Sequence, residues 1–259
     1  MHDAETGGST RSGLWCAGVG LVLAVFAVIV VNGKVATGAV TDAHLSVLLG
    51  YGATWVPMLG AVIVFAALTR GRRAQAVLGI RFLWIDLLWG GAIGILARSI
   101  ASISSITAYG TTGLTGQPVI GGIDGWYVFG ALIAPALIAP LIEEEFFRGL
   151  MQGALELRLR STSEPRLESS AIPEAGFTRR VAPSQHVAQL GAVAVVSVMF
   201  VAVHLIGATS PVHALVLGLP LLLFAVGAGV ARAYTGRIGG AVVAHVVFNG
   251  SAVLLMWPW

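Results

Sequence analysis

Three consecutive carboxylates, Glu143, Glu144 and Glu145, with Arg148 close behind, interrupt the otherwise apolar run IAPLIEEEFFRGL at 138–150. Two further polar groups stand in later apolar runs: His204, four residues after Phe200, and the pair His245 and Asn249. Residues four apart share a helix face, so Glu144 is placed to pair with Arg148, and His245 and Asn249 project together. Glu143 then points about 100° away round the helix, free to face imidazoles from other helices. A carboxylate beside two imidazoles and an amide is equipped to activate water: the carboxylate takes the proton, and the imidazoles orient the water or hold a metal. An ionised side chain at the centre of a membrane helix costs about 2.5–3.5 kcal/mol, so three Glu cost about 7–10 kcal/mol, less what pairing returns. Packing gives no reason to carry that cost, which marks the stretch as a functional site. Each motif alone is weak. A lone membrane His is commonly an interhelical hydrogen bonder, and a Glu–Arg pair can be structural glue. Their weight comes from occurring together, each in a separate apolar run.

The elements that must position these groups are membrane helices. The chain has 259 residues, 56% of them hydrophobic and 10% charged, against about a quarter charged in soluble domains. The expected fold is all-α, a polytopic transmembrane helix bundle forming one domain over 1–259. Its spans fall at 13–32, 45–69, 83–106, 126–157, 188–206, 212–233 and 238–257. Pro135 and Pro140 inside the fourth predict a kink, or a break that would raise the count from seven spans to eight. Residues 107–125 read as a Gly/Thr-rich loop, and 158–187 as one long hydrophilic surface loop. With the N-terminus in the cytoplasm, the loop residues Arg11, Arg70, Arg72, Arg73, Arg81, Arg158, Arg160, Arg166, Arg179, Arg180, Arg232 and Arg237 all fall inside, and only Lys34 outside. That asymmetry fixes the orientation and supports the span count. The basic residues belong to membrane loops, so the net charge of +3 does not point to nucleic acid. The single cysteine, Cys16, excludes an internal disulfide and a Cys-based zinc site and reads as a buried small hydrophobe.

The three motifs, in this order, resemble the CPBP intramembrane endopeptidase family, which includes type II CAAX prenyl proteases and bacterial Abi-type proteins linked to bacteriocin self-immunity. The resemblance covers a catalytic core at about 126–255. It implies Glu143 as the water-activating base, Glu144 and Arg148 as its support, and His204, His245 and Asn249 as the groups that hold the water and polarise the scissile carbonyl. It leaves two cofactor readings open. In one, Zn2+ is held by His204, His245 and Glu143, two His with a carboxylate being the minimum zinc set. In the other, no metal is used. The implied partners are the lipid bilayer and a membrane-associated peptide or protein. In a bacterial cytoplasmic membrane, prenylated proteins are poor candidate substrates. Glu145 departs from the family pattern, which has an apolar residue there, and Arg98 in the third span is its expected partner.

Two rival functions share these residues. A non-catalytic immunity or regulatory module would use the fold to bind a partner. A proton-coupled transporter would use buried Glu and His as a relay, but no internal repeat is visible. The other groups read as bland: His2, His44 and His186 in polar loops, His213 opening the sixth span, and Asp86 near Arg81. On these boundaries His204 lies near one end of its span and His245 near the opposite end of another. The two approach only if the linker 207–211 dips into the bundle, which Gly, Ser and Pro there allow, or if the span boundaries are shifted; the dip is the expectation.

Overall fold

The computed structural model describes residues 2–69, 71–114, 123–161 and 185–258. Much of the expected loops, 115–122 and 162–184, lies outside the described residues. The described part is helical. The elements are α1 (His2–Ala36), α2 (Ala43–Thr69), the short α3 (Arg72–Leu78), α4 (Ile85–Tyr109), α5 (Gly125–Ser161), α6 (Gln185–His204), α7 (Pro211–Thr235) and α8 (Gly239–Met256). Seven are long and apolar enough to cross a membrane, only α3 falling short. The protein is a polytopic membrane helix bundle. Its outer face carries Trp15, Val56 and Leu215, each about two-thirds exposed or more, as a surface solvated by lipid should.

The helices pack by close backbone approach. A Cβ at Gly90 or Gly94 of α4 would lie 2.6 Å from the carbonyl oxygen of Gly240 or Ala244 on α8, so α4 and α8 touch through their backbones. Small residues at such crossings maximise van der Waals contact where lipid supplies no hydrophobic drive. At the Arg-rich end, Gly79 takes φ +62° and lies against Gly236 and the Arg232 guanidinium. The fully buried rings Phe65, Phe146, Phe147, Phe200 and Phe224 form the centre of the bundle.

The prolines of α5 neither break nor end it. The helix widens instead: residues Phe129–Ile138 and Glu145–Gln152 are π-helical. In the first stretch the Ala139 N–H reaches back five residues to Ala134 O. In that register Pro135 and Pro140, which lack N–H groups, leave Gly130 O and Pro135 O without their donors. Both carbonyls are satisfied from outside the helix. Tyr51 Oη on α2 donates to Gly130 O at 2.8 Å, and Asn249 Nδ2 on α8 donates to Pro135 O at 3.0 Å. Tyr51→Phe or Asn249→Ala strands one carbonyl within the bundle, with an expected loss of about 1–3 kcal/mol each. Thermal unfolding in detergent measures it, and two unchanged midpoints would show the caps to be dispensable.

Several expectations need correction. Arg98 does not pair with Glu145. It donates through Nε and Nη2 to Phe248 O at 3.1 and 2.6 Å and lies over the Phe248 ring. A backbone carbonyl already in reach across the tight α4–α8 crossing satisfies it. Asp86 pairs with Arg237, not Arg81, in a two-pronged contact of 2.7 and 3.3 Å. That contact pins the α7–α8 turn to the start of α4. Cys16 is half-buried rather than buried. His44 lies inside α2, stacked on Trp126 at 4.8 Å, and His186 belongs to the first turn of α6. His213 helps cap α7 beside Thr209 and Ser210. The hydrophilic loop is shorter than expected at both ends, since α5 runs to Ser161 and α6 starts at Gln185.

Candidate active site

The depth problem is solved by a short α6. A Cβ at Gly218 of α7 would sit 3.5 Å from Leu205. Gly218 lies seven residues into α7, or about 10 Å along its axis. The linker after His204 therefore starts about 10 Å along α7 from that helix's first residue, but Ile206, Gly207, Thr209 and Ser210 are exposed rather than buried in the bundle. This stop sets His204 level with the middle of α5.

Two acid–imidazole pairs result, one for each of the first two glutamates. Glu143 Oε2 lies 3.7 Å from His204 Nε2. That exceeds a direct hydrogen bond and suits a bridging water. Glu143 Oε2 is buried with no hydrogen-bond partner among the described residues. On the other side of the ring, His204 Nδ1 lies 2.7 Å from Phe200 O. A carbonyl only accepts, so Nδ1 carries the proton, and Nε2 is the nitrogen left facing Glu143. The second pair is closer: His245 Nδ1 lies 2.9 Å from Glu144 Oε1, both side chains buried. Here too the acceptor oxygen places the proton on Nδ1 and leaves Nε2 as the lone-pair nitrogen.

Glu144 also faces Arg148, as the four-residue spacing predicts, with Oε2 3.4 Å from Nε and both fully buried. The contact is an ion pair without hydrogen-bond alignment. The guanidinium lies over the Phe200 ring, 5.0 Å from its centroid. From there a polar stripe descends α5. Gln152 Nε2 donates to Glu156 Oε1 at 3.1 Å and to Gly229 O at 2.9 Å, and Glu156 faces Arg160 at 3.8 Å. Gln152 and Glu156 were not singled out in the sequence. The signal was there in the four-residue spacing 144, 148, 152, 156, 160.

The single carboxylate flanked by two imidazoles is thus divided. His204 and His245 both pack against the Phe200 ring, with ring centroids 4.3 and 5.9 Å from it. Glu143 meets one imidazole and Glu144 the other. Among the described residues, no three of His, Cys, Asp and Glu gather as metal ligands. The set His204, His245 and Glu143 does not gather as a metal site in this arrangement. Asn249 is committed to Pro135 O through Nδ2. Glu145 is half-buried and makes no ion pair or hydrogen bond among the described residues.

Glu143 opens on space. A cavity of about 200 Å³ beside it is lined by His204, Thr54, Met58, Leu21 and Ala24. A second, of about 400 Å³, is lined by Tyr51, Thr54, Trp55, Gly130 and Ala139. Residues 125–251, which carry all six polar groups of the two pairs and their supports, match the family described as Type II CAAX prenyl endopeptidase Rce1-like. This stretch belongs to that family. The match supports a CAAX-type membrane peptidase at family level. Comparisons with curated proteins and with solved structures give no match. Helix α2, which walls both cavities, and α1, which walls the smaller one, lie outside the matched residues.

Proposed function

We propose that the chain is an intramembrane endopeptidase that hydrolyses a peptide bond with a water activated by Glu143. The observation that carries this is the 3.7 Å gap between Glu143 Oε2 and His204 Nε2, open to two cavities. A water in that gap gives its proton to Glu143 as its oxygen attacks the scissile carbonyl. Glu143 then passes the proton to the departing amine. Protonated His204, donating from Nε2, stabilises the oxyanion, its ring held by the Nδ1 bond to Phe200 O. Glu144 keeps the His245 ring fixed through Nδ1, so that Nε2 is the nitrogen available to the site. Arg148 neutralises Glu144. Asn249 positions: it holds the α5 backbone about two turns before the glutamates. No step is routed through a metal.

The substrate is a membrane-associated peptide or protein that enters from the bilayer between α2 and α5. The Arg-rich end, bearing Arg158, Arg160, Arg232 and Arg237, faces the cytoplasm, and the membrane is a bacterial cytoplasmic membrane. The test is cleavage of a fluorogenic lipopeptide library by the detergent-solubilised protein, with and without chelator, beside His204→Ala. Cleavage by the wild type, lost in His204→Ala and indifferent to chelator, is expected. Chelator loss restored by zinc would overturn the metal-free route. Equal silence from both proteins, each shown folded by circular dichroism, would overturn the peptidase reading in favour of a binding module.

A further inference from the structure

A third cavity lies apart from Glu143, Glu144 and Glu145, at the Arg-rich end of the bundle. It has a volume of about 390 Å³, and its walls include Glu156, Arg160, Gln189, Arg232, Tyr234 and Thr235. These residues stand where α5, α6 and α7 end or begin, at the depth where a bilayer's apolar core gives way to headgroups.

Arg232 is the unusual wall. Its residue is 5% exposed. Its one hydrogen bond among the described residues runs from Nη2 to Val77 O at 2.7 Å. Among the described residues Nε is buried with no hydrogen-bond partner, and no carboxylate forms an ion pair with it, Glu156 acting on it only from longer range. Arg160 also lines the cavity with its Nε buried and unpartnered. The one carboxylate in the walls, Glu156, is 3.8 Å from Arg160 and already accepts from Gln152. Two guanidiniums therefore share one carboxylate, and the more buried of them has none. A guanidinium taken out of water without a counter-ion is strongly disfavoured. Anions with several acceptor oxygens match the guanidinium fork best. Gln189 is spent on Ala233 O at 2.8 Å, so the cationic groups alone define the ligand.

We infer that this cavity is an anion site that takes a phosphate group, held by Arg232 and Arg160. The phosphate comes either from an anionic phospholipid headgroup or from a free phosphate. Basic pockets between membrane helices at this depth suit the first source. Exposed Tyr234 and Leu157 at the rim suit it too, because an acyl chain leaving the cavity would run over them.

The experiment uses the full chain in detergent with three probes: inorganic phosphate, mixed micelles of phosphatidylglycerol, and mixed micelles of phosphatidylcholine. Thermal midpoint against probe concentration gives apparent affinity, since a ligand of the folded state raises the midpoint. Native mass spectrometry counts retained lipid. A rise with phosphatidylglycerol but not phosphatidylcholine, with one lipid retained, supports the headgroup. A rise with phosphate alone that phosphatidylglycerol does not exceed supports the free anion. Arg160→Gln and Arg232→Gln should each weaken the effective probe by roughly tenfold or more, the worth of a hydrogen bond to a charged group, while Arg232→Lys retains part of it. Arg160 is partly exposed, so its variant keeps the test valid even if Arg232→Gln fails to fold. Absence of any response in the wild type, or identical responses from wild type and Arg160→Gln, overturns the site.

Discussion

Glu143→Gln should lower kcat/KM by about 100- to 10,000-fold, the usual contribution of a positioned general base. The loss is expected in kcat, with KM nearly unchanged, since an amide fills the same space but takes no proton. It corresponds to about 3–5.5 kcal/mol of barrier. Stability should not fall, because Glu143 Oε2 has no hydrogen-bond partner to lose among the described residues. Glu145→Gln is the matched control. Its carboxylate lies two residues on, on the far side of α5 from the cavities, and makes no contact that the proposed reaction uses. The pair of variants separates a chemical role from the general cost of acids in lipid. If Glu143→Gln retained half or more of wild-type turnover, or if Glu145→Gln fell as far as Glu143→Gln, the base would be misassigned.

Glu144→Ala should be among the most damaging substitutions for stability, by about 3–5 kcal/mol, the cost of stranding one member of a buried ion pair. Arg148 is fully buried, and neither Nη1 nor Nη2 has a hydrogen-bond partner among the described residues. Glu144 is its fully buried counter-charge. The same substitution strips His245 Nδ1 of its acceptor, so the ring loses its fixed orientation and activity falls as well. Since a whole domain is held by only about 5–15 kcal/mol, the expected reading is a much lower unfolding midpoint in detergent. Glu144→Leu combined with Arg148→Met removes both charges and should unfold at a higher temperature than Glu144→Ala, while remaining inactive. A double variant no better than the single, or a Glu144→Ala midpoint equal to that of wild type, would show that the pair does not neutralise a buried charge.

The bundle and much of the site were readable from local pattern. Apolar runs of membrane length gave all seven spans, most within three residues of their ends. The four-residue spacing gave the Glu144–Arg148 pair, and the depth conflict between His204 and His245 pointed to a shift that the structure shows as an earlier end of α6 at His204. What the pattern missed depends on backbone register and on neighbours distant in sequence. Pro135 and Pro140 announced a disturbance in α5, but not that the helix would widen to π geometry and remain whole. The Arg98–Glu145 pairing failed because charge complementarity ignores the carbonyl of Phe248, which the Gly90 and Gly94 crossing brings within reach. The division of the two imidazoles between two acids could not be seen either, because it is set by how helices distant in sequence pack against α5.

The two borrowed donors on α5 bear on when the enzyme becomes competent during synthesis. Tyr51 precedes Gly130 by 79 residues, so its helix is already in the bilayer when α5 emerges from the ribosome. Asn249 follows Pro135 by 114 residues, and it arrives on the same helix as His245. Until α8 is inserted, Pro135 O lacks its donor, Glu144 lacks its imidazole, and α5 has no reason to hold its final shape. The nascent chain is thus born with its glutamates in place but inert. For the proposed reaction, competence would wait for a helix made after every other part of the site.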